Sequence, residues 1–313
     1  MTPQVFQDLL HHLLTRALSH YTMSPTHVVF YVKESSFLFV LSTAQHRFVL
    51  KLFPPSSPHF TTQEETCRWT LSLKDSAEHR FLKPLPNKAS AFTTVIHHGQ
   101  SLWKCALFPW VLGTPLHQEL SPQKIHQWGR LMGAFHAQSA ASPQSHAQKT
   151  TTQLNTWNRV FYAYPNKIAD SSFGEHYAAV AQKVASTLEA LWNTPGPPIR
   201  FHGDMHGGNI LCRANQMTLL DFDNLTWGFP IQDIAIALLN FRNDPNFPHR
   251  CASFKAGYET AASWPQHHEK YLSDLMMGRL MNVANAMLHM QSLDNEEVKS
   301  RLRRYAEEFK AYL

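Results

Sequence analysis

The 313-residue chain has few of the features that mark secreted or membrane-spanning proteins. Its four cysteines form no Cys-x-x-Cys pair, so we expect reduced thiols and a cytoplasmic protein. No apolar stretch approaches the roughly 20 residues that a membrane-spanning helix needs, so no membrane partner is expected. The N-terminus has no basic segment followed by an apolar one, and we therefore expect no secretory signal.

Strong charge of either sign is also absent. Lys and Arg number 28 against 23 Asp and Glu, which gives a formal net charge of +5. Because no concentrated basic stripe accompanies this mild excess, we expect no nucleic-acid partner. The hydrophobic content of 43% is typical of a globular protein, and the length allows one large core or two lobes.

The hydrophobic patterns divide the chain into a strand-rich part and a helix-rich part. Strand-like runs and two helices are predicted before Gly113: a leading helix at 2–20, strands at 27–33, 37–41, 47–53, 91–98 and 101–108, and a helix at 63–73. Helices dominate afterwards, near 121–138, 154–163, 173–193, 231–241, 249–263, 267–290 and 294–312, with a loop at 139–153. We predict an α+β, two-lobed fold with an antiparallel-sheet lobe over 1–107, a hinge over 108–113 and a larger helical lobe over 114–313.

The most informative residues lie in the run Phe201-His-Gly-Asp-Met-His-Gly-Gly-Asn and in Leu219-Leu-Asp-Phe-Asp shortly after it. Asp204 and Asn209 are separated by four residues, and Asp221 follows among apolar neighbours. A phosphoryl-transfer site needs this order, because one carboxylate orients the hydroxyl nucleophile while a carboxamide and a second carboxylate hold Mg²⁺ against the nucleotide phosphates. Protein kinases use the same spacing. The sequence therefore predicts phosphorylation of an alcohol by ATP.

Asp204 and Asp223 each have a structural alternative to a role in the active site. Asp204 would accept a hydrogen bond from the acceptor hydroxyl, or else cap a turn. Asp221 lies in an otherwise apolar run, 217–222, that reads as a strand, where a buried charge is costly unless it meets a cation such as Mg²⁺. On an extended strand Asp223 would face the same side, where it assists a second metal ion or bonds to loop backbone.

Lys51 is the predicted phosphate-binding lysine. It is flanked by apolar residues on a strand predicted to be central, so it needs an anionic partner, whereas an edge-strand lysine would point to solvent. In the kinase arrangement such a lysine contacts the α- and β-phosphates and pairs with a helix glutamate. Glu65 is favoured over Glu64 for this role from its position relative to Trp69 and Leu71.

With the apolar joint Phe108-Pro-Trp-Val-Leu-Gly113, the catalytic run and the metal run in this order, the sequence resembles the aminoglycoside phosphotransferase/choline kinase family, a branch of the protein-kinase-like fold. The resemblance covers residues 25 to 290 and implies ATP and Mg²⁺ as cofactors. It implies a hydroxyl acceptor, either a small molecule (a sugar, amino alcohol or aminoglycoside) or a protein Ser/Thr. It further implies roles for five residues: adenine contacts from the hinge at Phe108, Trp110 and Val111, and support of the catalytic loop by His202 and Asp233.

Two alternatives stay open at this point. The first turn of the sheet, residues 34–36, has no glycine, unlike the glycine-rich loop of protein kinases, which favours a non-catalytic pseudokinase that binds nucleotide as a switch. His202, Asp204 and His206 also have the residue types of a zinc site in a hydrolase, although Asn209 and Asp221 fit Mg²⁺ better.

Overall fold

The computed structural model describes residues 3–32, 36–142, 168, 171–290 and 295–313. The chain divides into two units. The first contains Met1–Gly113 and Leu211–Asp223, and the second contains Thr114–Ile210 and Asn224–Leu313.

The first unit is built on a five-stranded antiparallel sheet in the order β1-β2-β3-β6-β5. Two helices and a further short strand accompany it. The elements are α1 (Pro3–Leu18), β1 (His27–Val32), β2 (Phe37–Ser42), β3 (Arg47–Phe53), α2 (Gln63–Ser72), β4 (His79–Phe81), β5 (Thr94–His98) and β6 (Ser101–Pro109).

The core of this unit follows from the apolar periodicity of its elements. Leu50 and Leu52 on β3 are fully buried, as is Leu41 on β2, since alternate strand residues face the same side. Leu13 and Ala17 lie four residues apart on α1 and join the same cluster.

A second, smaller sheet explains why a distant segment belongs to the first unit. β10 (Gln216–Leu219) pairs in parallel with β4, and β9 (Ile210–Arg213) lies beside β10. The hydrophobic pattern predicts residues 211–223 in the C-terminal lobe, whereas Leu211–Asp223 belong to the first unit. Pairing between strands so far apart in the chain has no local signal in the sequence.

The second unit is mostly helical. Its strands are short, and β8 pairs antiparallel with β11. The elements are β7 (Thr114–Pro115), α3 (Pro122–Ala141), α4 (Tyr177–Trp192), β8 (Ile199–Phe201), β11 (Thr226–Gly228), α5 (Pro230–Leu238), α6 (Phe247–Glu259), α7 (Leu272–Met290) and α8 (Glu296–Tyr312).

Most predicted helices and strands are present, with shifted ends. The helix predicted over 267–290 begins as a 3₁₀ turn, Gln266–Tyr271, and continues as α7. The helix predicted over 154–163 and most of the loop predicted over 139–153 lie outside the described residues. Among the helices that the structure describes, none is long and apolar enough to cross a lipid bilayer.

Candidate active site

The catalytic loop, residues 202–209, leaves β8 and ends where β9 begins. Gly203 has φ +77°, and a Cβ atom at this position would lie 2.6 Å from the carbonyl oxygen of Asn224. Both the backbone angle and the close approach require glycine. This explains why glycine stands before Asp204, the predicted catalytic aspartate, where protein kinases carry arginine.

Asp233, in the first turn of α5, is fully buried and holds the start of this loop. Its Oδ2 accepts a hydrogen bond from the His202 N–H at 2.7 Å, and its Oδ1 accepts one from the Gly203 N–H at 2.9 Å. Oδ2 also lies 3.1 Å from Nε2 of His136. Two peptide groups of the loop therefore depend on one carboxylate.

Two histidines complete this support. His202 is fully buried, and its Nδ1 accepts a hydrogen bond from the Asp204 N–H at 3.2 Å. His136 on α3 joins Asp233 to Tyr258, whose hydroxyl lies 2.9 Å from Nδ1. Burial, with the negative charge of Asp233 adding to it, raises the pKa of Tyr258 well above its ordinary value, so this hydroxyl stays protonated. Sequence reasoning missed His136, which has no motif around it.

The Asp204 carboxylate has partners on both oxygens. Asn209 Nδ2 donates to its Oδ2 at 3.0 Å and to its backbone oxygen at 2.9 Å. The guanidinium of Arg279, on α7, donates to Oδ1 through Nη2. Because the Asn209 amide hydrogens point at Asp204, its carboxamide oxygen is the atom that remains for a cation.

In the first unit, Lys51 pairs with two carboxylates. Its Nζ lies 2.6 Å from Oδ1 of Asp221 and 3.1 Å from Oδ1 of Asp223. Lys51 is 7% exposed, and its strand β3 lies between β2 and β6. The alternative of an edge-strand lysine that points to solvent is therefore wrong.

The two carboxylates reach Lys51 by a different route from the predicted one. β10 ends at Leu219, Asp221 has φ +62°, and Phe222–Asn224 form a 3₁₀ turn. The premise of an extended strand is therefore wrong, because the chain turns at Asp221. The partners of Asp223 Oδ1 are side chains, namely Lys51 and Gln63, whose Nε2 donates at 3.3 Å.

One oxygen of this cluster favours a bound cation. Asp223 is 6% exposed, and within the described ranges its buried Oδ2 has no hydrogen-bond partner. An unpaired buried acceptor costs about 1–3 kcal/mol, and more when it is charged. Mg²⁺ takes one or two protein carboxylates together with water and substrate phosphates, so Asp221 and Asp223 fit this ion.

These side chains line a small cavity. Thr66 and Cys67 of α2 contribute to its wall, together with Leu82 and Phe108. The Phe108 ring centroid lies 5.7 Å from Lys51 Nζ. Burial raises the pKa of the Cys67 thiol to about 12, and the charges of Asp223 and Glu64 add to this effect while Lys51 opposes it. The thiol is therefore un-ionised at neutral pH.

Comparison with known proteins decides the family. Residues 32–271, more than half of the chain, match the phosphotransferase enzyme family. The chain belongs to this family. Stress response kinase A from Escherichia coli strain K12 is 26% identical over 206 residues, and so is the protein of the same name from Shigella flexneri. The match spans 62% of the present chain and 57% of these relatives' length.

Solved structures show the same fold as this chain. Amicoumacin kinase in complex with AMP-PNP, Ca²⁺ and Ami has a TM-score of 0.77 at 15% identity, covering 99% of this chain and 96% of that one. The microcompartment-associated aminopropanol kinase has a TM-score of 0.74 at 18% identity, with 96% and 95% covered. Ethanolamine kinase from Plasmodium vivax has a TM-score of 0.61 at 11% identity, with 100% and 91% covered. The predicted α+β, protein-kinase-like fold is confirmed.

The roles predicted for Glu65, Trp110 and Val111 stay predictions. Glu65 lies on the exposed side of α2, while Gln63 occupies the side that faces Asp223. Glu64 pairs with Arg68 at 2.8 Å and accepts a hydrogen bond from the Thr93 hydroxyl. Lys51 bonds to the carboxylates of Asp221 and Asp223. Its pairing with Glu65 stays a prediction.

Two hinge positions, Trp110 and Val111, are predicted to contact adenine. The Trp110 N–H donates to the Arg47 carbonyl at 3.0 Å, so this donor is already used within the sheet. The Trp110 ring is 39% exposed, and Val111 is partly exposed. The adenine-binding roles of Trp110 and Val111 stay predictions.

The zinc alternative is not favoured by the local geometry. The His202 ring is buried and its Nδ1 already accepts the Asp204 N–H, while Nδ1 of His206 accepts the Gly208 N–H at 3.0 Å. Over the part of the chain that the structure describes, no group of three or more His, Cys, Asp and Glu side chains is arranged to hold a metal ion.

Proposed function

We propose that this phosphotransferase moves the γ-phosphoryl group of ATP to a hydroxyl acceptor with the help of Mg²⁺. The observation that carries the proposal is the cluster of Lys51, Asp221 and Asp223, in which a buried carboxylate oxygen lacks a hydrogen-bond partner among the described residues. A lysine beside two carboxylates offers ligands for both phosphate oxygens and a hard cation. The AMP-PNP and Ca²⁺ in the amicoumacin kinase structure support the same nucleotide chemistry.

The roles of the residues follow from their donors and charges. Lys51 binds the α- and β-phosphates, and Asp221, Asp223 and Asn209 are ligands for the divalent cation. This cation neutralises phosphate charge when it is bound. Phe108 lines the cavity, and the hinge backbone at Trp110 and Val111 contacts adenine.

Asp204 acts on the acceptor. It orients the hydroxyl so that its oxygen attacks the γ-phosphorus, a new O–P bond forms, and the bond to the β–γ bridging oxygen breaks. ADP leaves with that oxygen, and the hydroxyl proton passes to the Asp204 carboxylate and then to solvent. Asp233 and His202 fix the loop that carries Asp204, so the rate comes mainly from positioning and charge.

A small-molecule acceptor is favoured. The similar solved structures include aminopropanol, ethanolamine and amicoumacin kinases. A protein Ser/Thr is the second proposed class of acceptor.

Phosphate transfer tests the proposal directly. Purified protein is incubated with γ-labelled ATP, Mg²⁺ and a panel of alcohols and Ser/Thr peptides, and labelled product is separated. Asp204→Asn keeps the size of the side chain but removes its charge, and we expect kcat to fall about 10²–10⁴-fold. ATP-dependent melting shifts of this variant serve as the control for folding and nucleotide binding. Transfer that is unaffected by Asp204→Asn contradicts the proposed role.

We also propose a cytoplasmic location for this protein. Cys67, Cys105 and Cys251 are free thiols in the structure, as is usual in a reducing compartment. Cell fractionation of the native host checks this, and recovery with secreted proteins contradicts it.

A further inference from the structure

Arg279 is a cation placed directly on the proposed catalytic carboxylate. Its Nη2 donates to Oδ1 of Asp204, and the two side chains are 14% and 17% exposed. The nearest acid on the same helix, Asp274, is engaged elsewhere by the hydroxyls of Thr187 and Tyr312. Within the described ranges, Asp204 is the one carboxylate that pairs with Arg279.

Among the residues that the structure describes, most of the donor capacity of Arg279 is unused. A guanidinium has five N–H donors in a planar fork, and the contact with Asp204 is made through a single nitrogen. The side chain is not sealed from solvent, so an entering molecule can reach the remaining donors. Such a fork binds carboxylate and phosphate groups with two parallel hydrogen bonds.

The charge around Asp204 also argues against a cationic acceptor. The guanidinium of Arg279 compensates the negative charge of the Asp204 carboxylate. An amine or polyamine acceptor is attracted by carboxylates whose charge is not compensated, and it is repelled by a nearby guanidinium. The described partners of the Asp204 side chain are instead Arg279, Asn209 and His206.

We propose that Arg279 selects the acceptor, and that the acceptor is a small alcohol carrying an oxyanion, either a carboxylate or a phosphate. This inference rests on the proposed phosphotransferase function. The oxyanion binds the guanidinium, which turns from Asp204 toward the ligand. Oδ1 of Asp204 is then free to accept the hydrogen bond of the acceptor hydroxyl. Transfer proceeds as above, with the new O–P bond made at that hydroxyl and ADP released.

Acceptors with the same scaffold and one substituent of different charge test this proposal. Glycerate, glycerol 3-phosphate, glycerol and 3-amino-1,2-propanediol share one scaffold, and a sugar acid, a sugar phosphate, a sugar and an amino sugar form a second series. Initial rates of phosphate transfer are measured for every member with saturating Mg·ATP. We expect a carboxylate or phosphate member to have the highest kcat/KM in its series. A neutral or cationic member that outpaces its anionic counterparts overturns the proposal.

Substitution separates selection from a purely structural role. Arg279→Ala is expected to raise the KM for the preferred anionic acceptor at least about 100-fold, which is the loss of two charge-assisted hydrogen bonds. The KM for ATP should not change, and guanidinium ion added to the medium should restore part of the rate. Arg301→Ala is the matched control, because Arg301 is half exposed and pairs with Glu297 on the surface of α8. An equal fall in kcat for all acceptors at unchanged KM contradicts acceptor selection.

A binding measurement keeps the test decisive if none of these alcohols is phosphorylated. Melting is followed in saturating Mg·AMP-PNP with glycerate or inorganic phosphate added. The proposal predicts stabilisation of the wild-type protein that is lost in Arg279→Ala and kept in Arg301→Ala. Equal stabilisation of all three proteins overturns it. If Mg·AMP-PNP itself gives no shift, the proposed function fails first, and the two failures are thereby distinguished.

Discussion

Asp233 and Asp223 are both buried carboxylates, but their oxygens are used in opposite ways. Both oxygens of Asp233 accept backbone N–H groups, from His202 and Gly203. Asp223 shares one oxygen between Lys51 and Gln63, while its other oxygen has no hydrogen-bond partner among the described residues. The first carboxylate supports the backbone, and we propose that the second binds a cation.

The contrast follows from the cost of burying charge. Most buried polar groups in folded proteins are hydrogen-bonded, so each exception requires an explanation. Asp233 meets this rule with groups of the chain itself. In the proposed site, a bound cation supplies the missing partner of Asp223 Oδ2, and the binding free energy offsets the cost of burying this oxygen. Substitutions at the two positions should therefore separate folding from ligand binding.

The largest effect on stability is expected for Asp233→Ala. The change leaves the His202 and Gly203 N–H groups buried without an acceptor, and each costs about 1–3 kcal/mol, so the free energy of unfolding should fall by about 2–6 kcal/mol. Equilibrium urea unfolding measures it. Asp233→Asn keeps one acceptor oxygen and should recover part of the loss. A loss below about 1 kcal/mol for Asp233→Ala would show that Asp233 stabilises the fold no more than Asp223 does.

An intermediate effect is expected for Gly203→Ala. A left-handed backbone angle costs about 1–2 kcal/mol with a side chain, and the overlap of the new Cβ with the Asn224 carbonyl adds about 1–3 kcal/mol. Because the catalytic loop must shift, phosphate transfer should also fall. Gly99→Ala is the control, since Gly99 has φ +56° and a Cβ there would meet no described heavy atom within 4 Å. Equal losses in thermal unfolding for the two variants would show that the loop tolerates a Cβ.

The smallest effect on the ligand-free protein is expected for Asp223→Ala. Removal of the carboxylate also removes its unpaired buried oxygen, and Lys51 keeps Asp221 at 2.6 Å. The free energy of unfolding should therefore change by less than about 1 kcal/mol, because the lost bonds and the relieved desolvation offset each other. Urea unfolding without nucleotide measures this, and a loss as large as that of Asp233→Ala would make Asp223 a structural residue.

The sequence predicted those parts of the fold and site that depend on short spacings. The limits of β3, Arg47–Phe53, follow from its apolar run, and Asp204 and Asn209 lie on one loop because only four residues separate them. Asp221 was recognised because a charge within an apolar run needs a partner.

The contacts that sequence reasoning missed join residues far apart in the chain. Arg279 lies 75 residues from Asp204, and Gln63 lies 160 residues from Asp223. A single Arg on a helix or a Gln at a helix start has no periodicity or motif that distinguishes it from a surface residue. The parallel pairing of β4 with β10 was missed for the same reason, since each strand is too short to have a clear pattern.

Nucleotide-dependent melting of Asp223→Ala beside the wild-type protein tests the central claim most directly. ATP at about 100 times its Kd should add about 2.7 kcal/mol to the stability of the wild-type protein, and only when Mg²⁺ is present. We expect Asp223→Ala to melt near the wild-type temperature without nucleotide and to lose this Mg²⁺-dependent shift. Asp221→Ala, which removes the other proposed metal ligand, should lose the shift as well. A full shift in Asp223→Ala, or no Mg²⁺-dependent shift in the wild-type protein, would contradict the central claim.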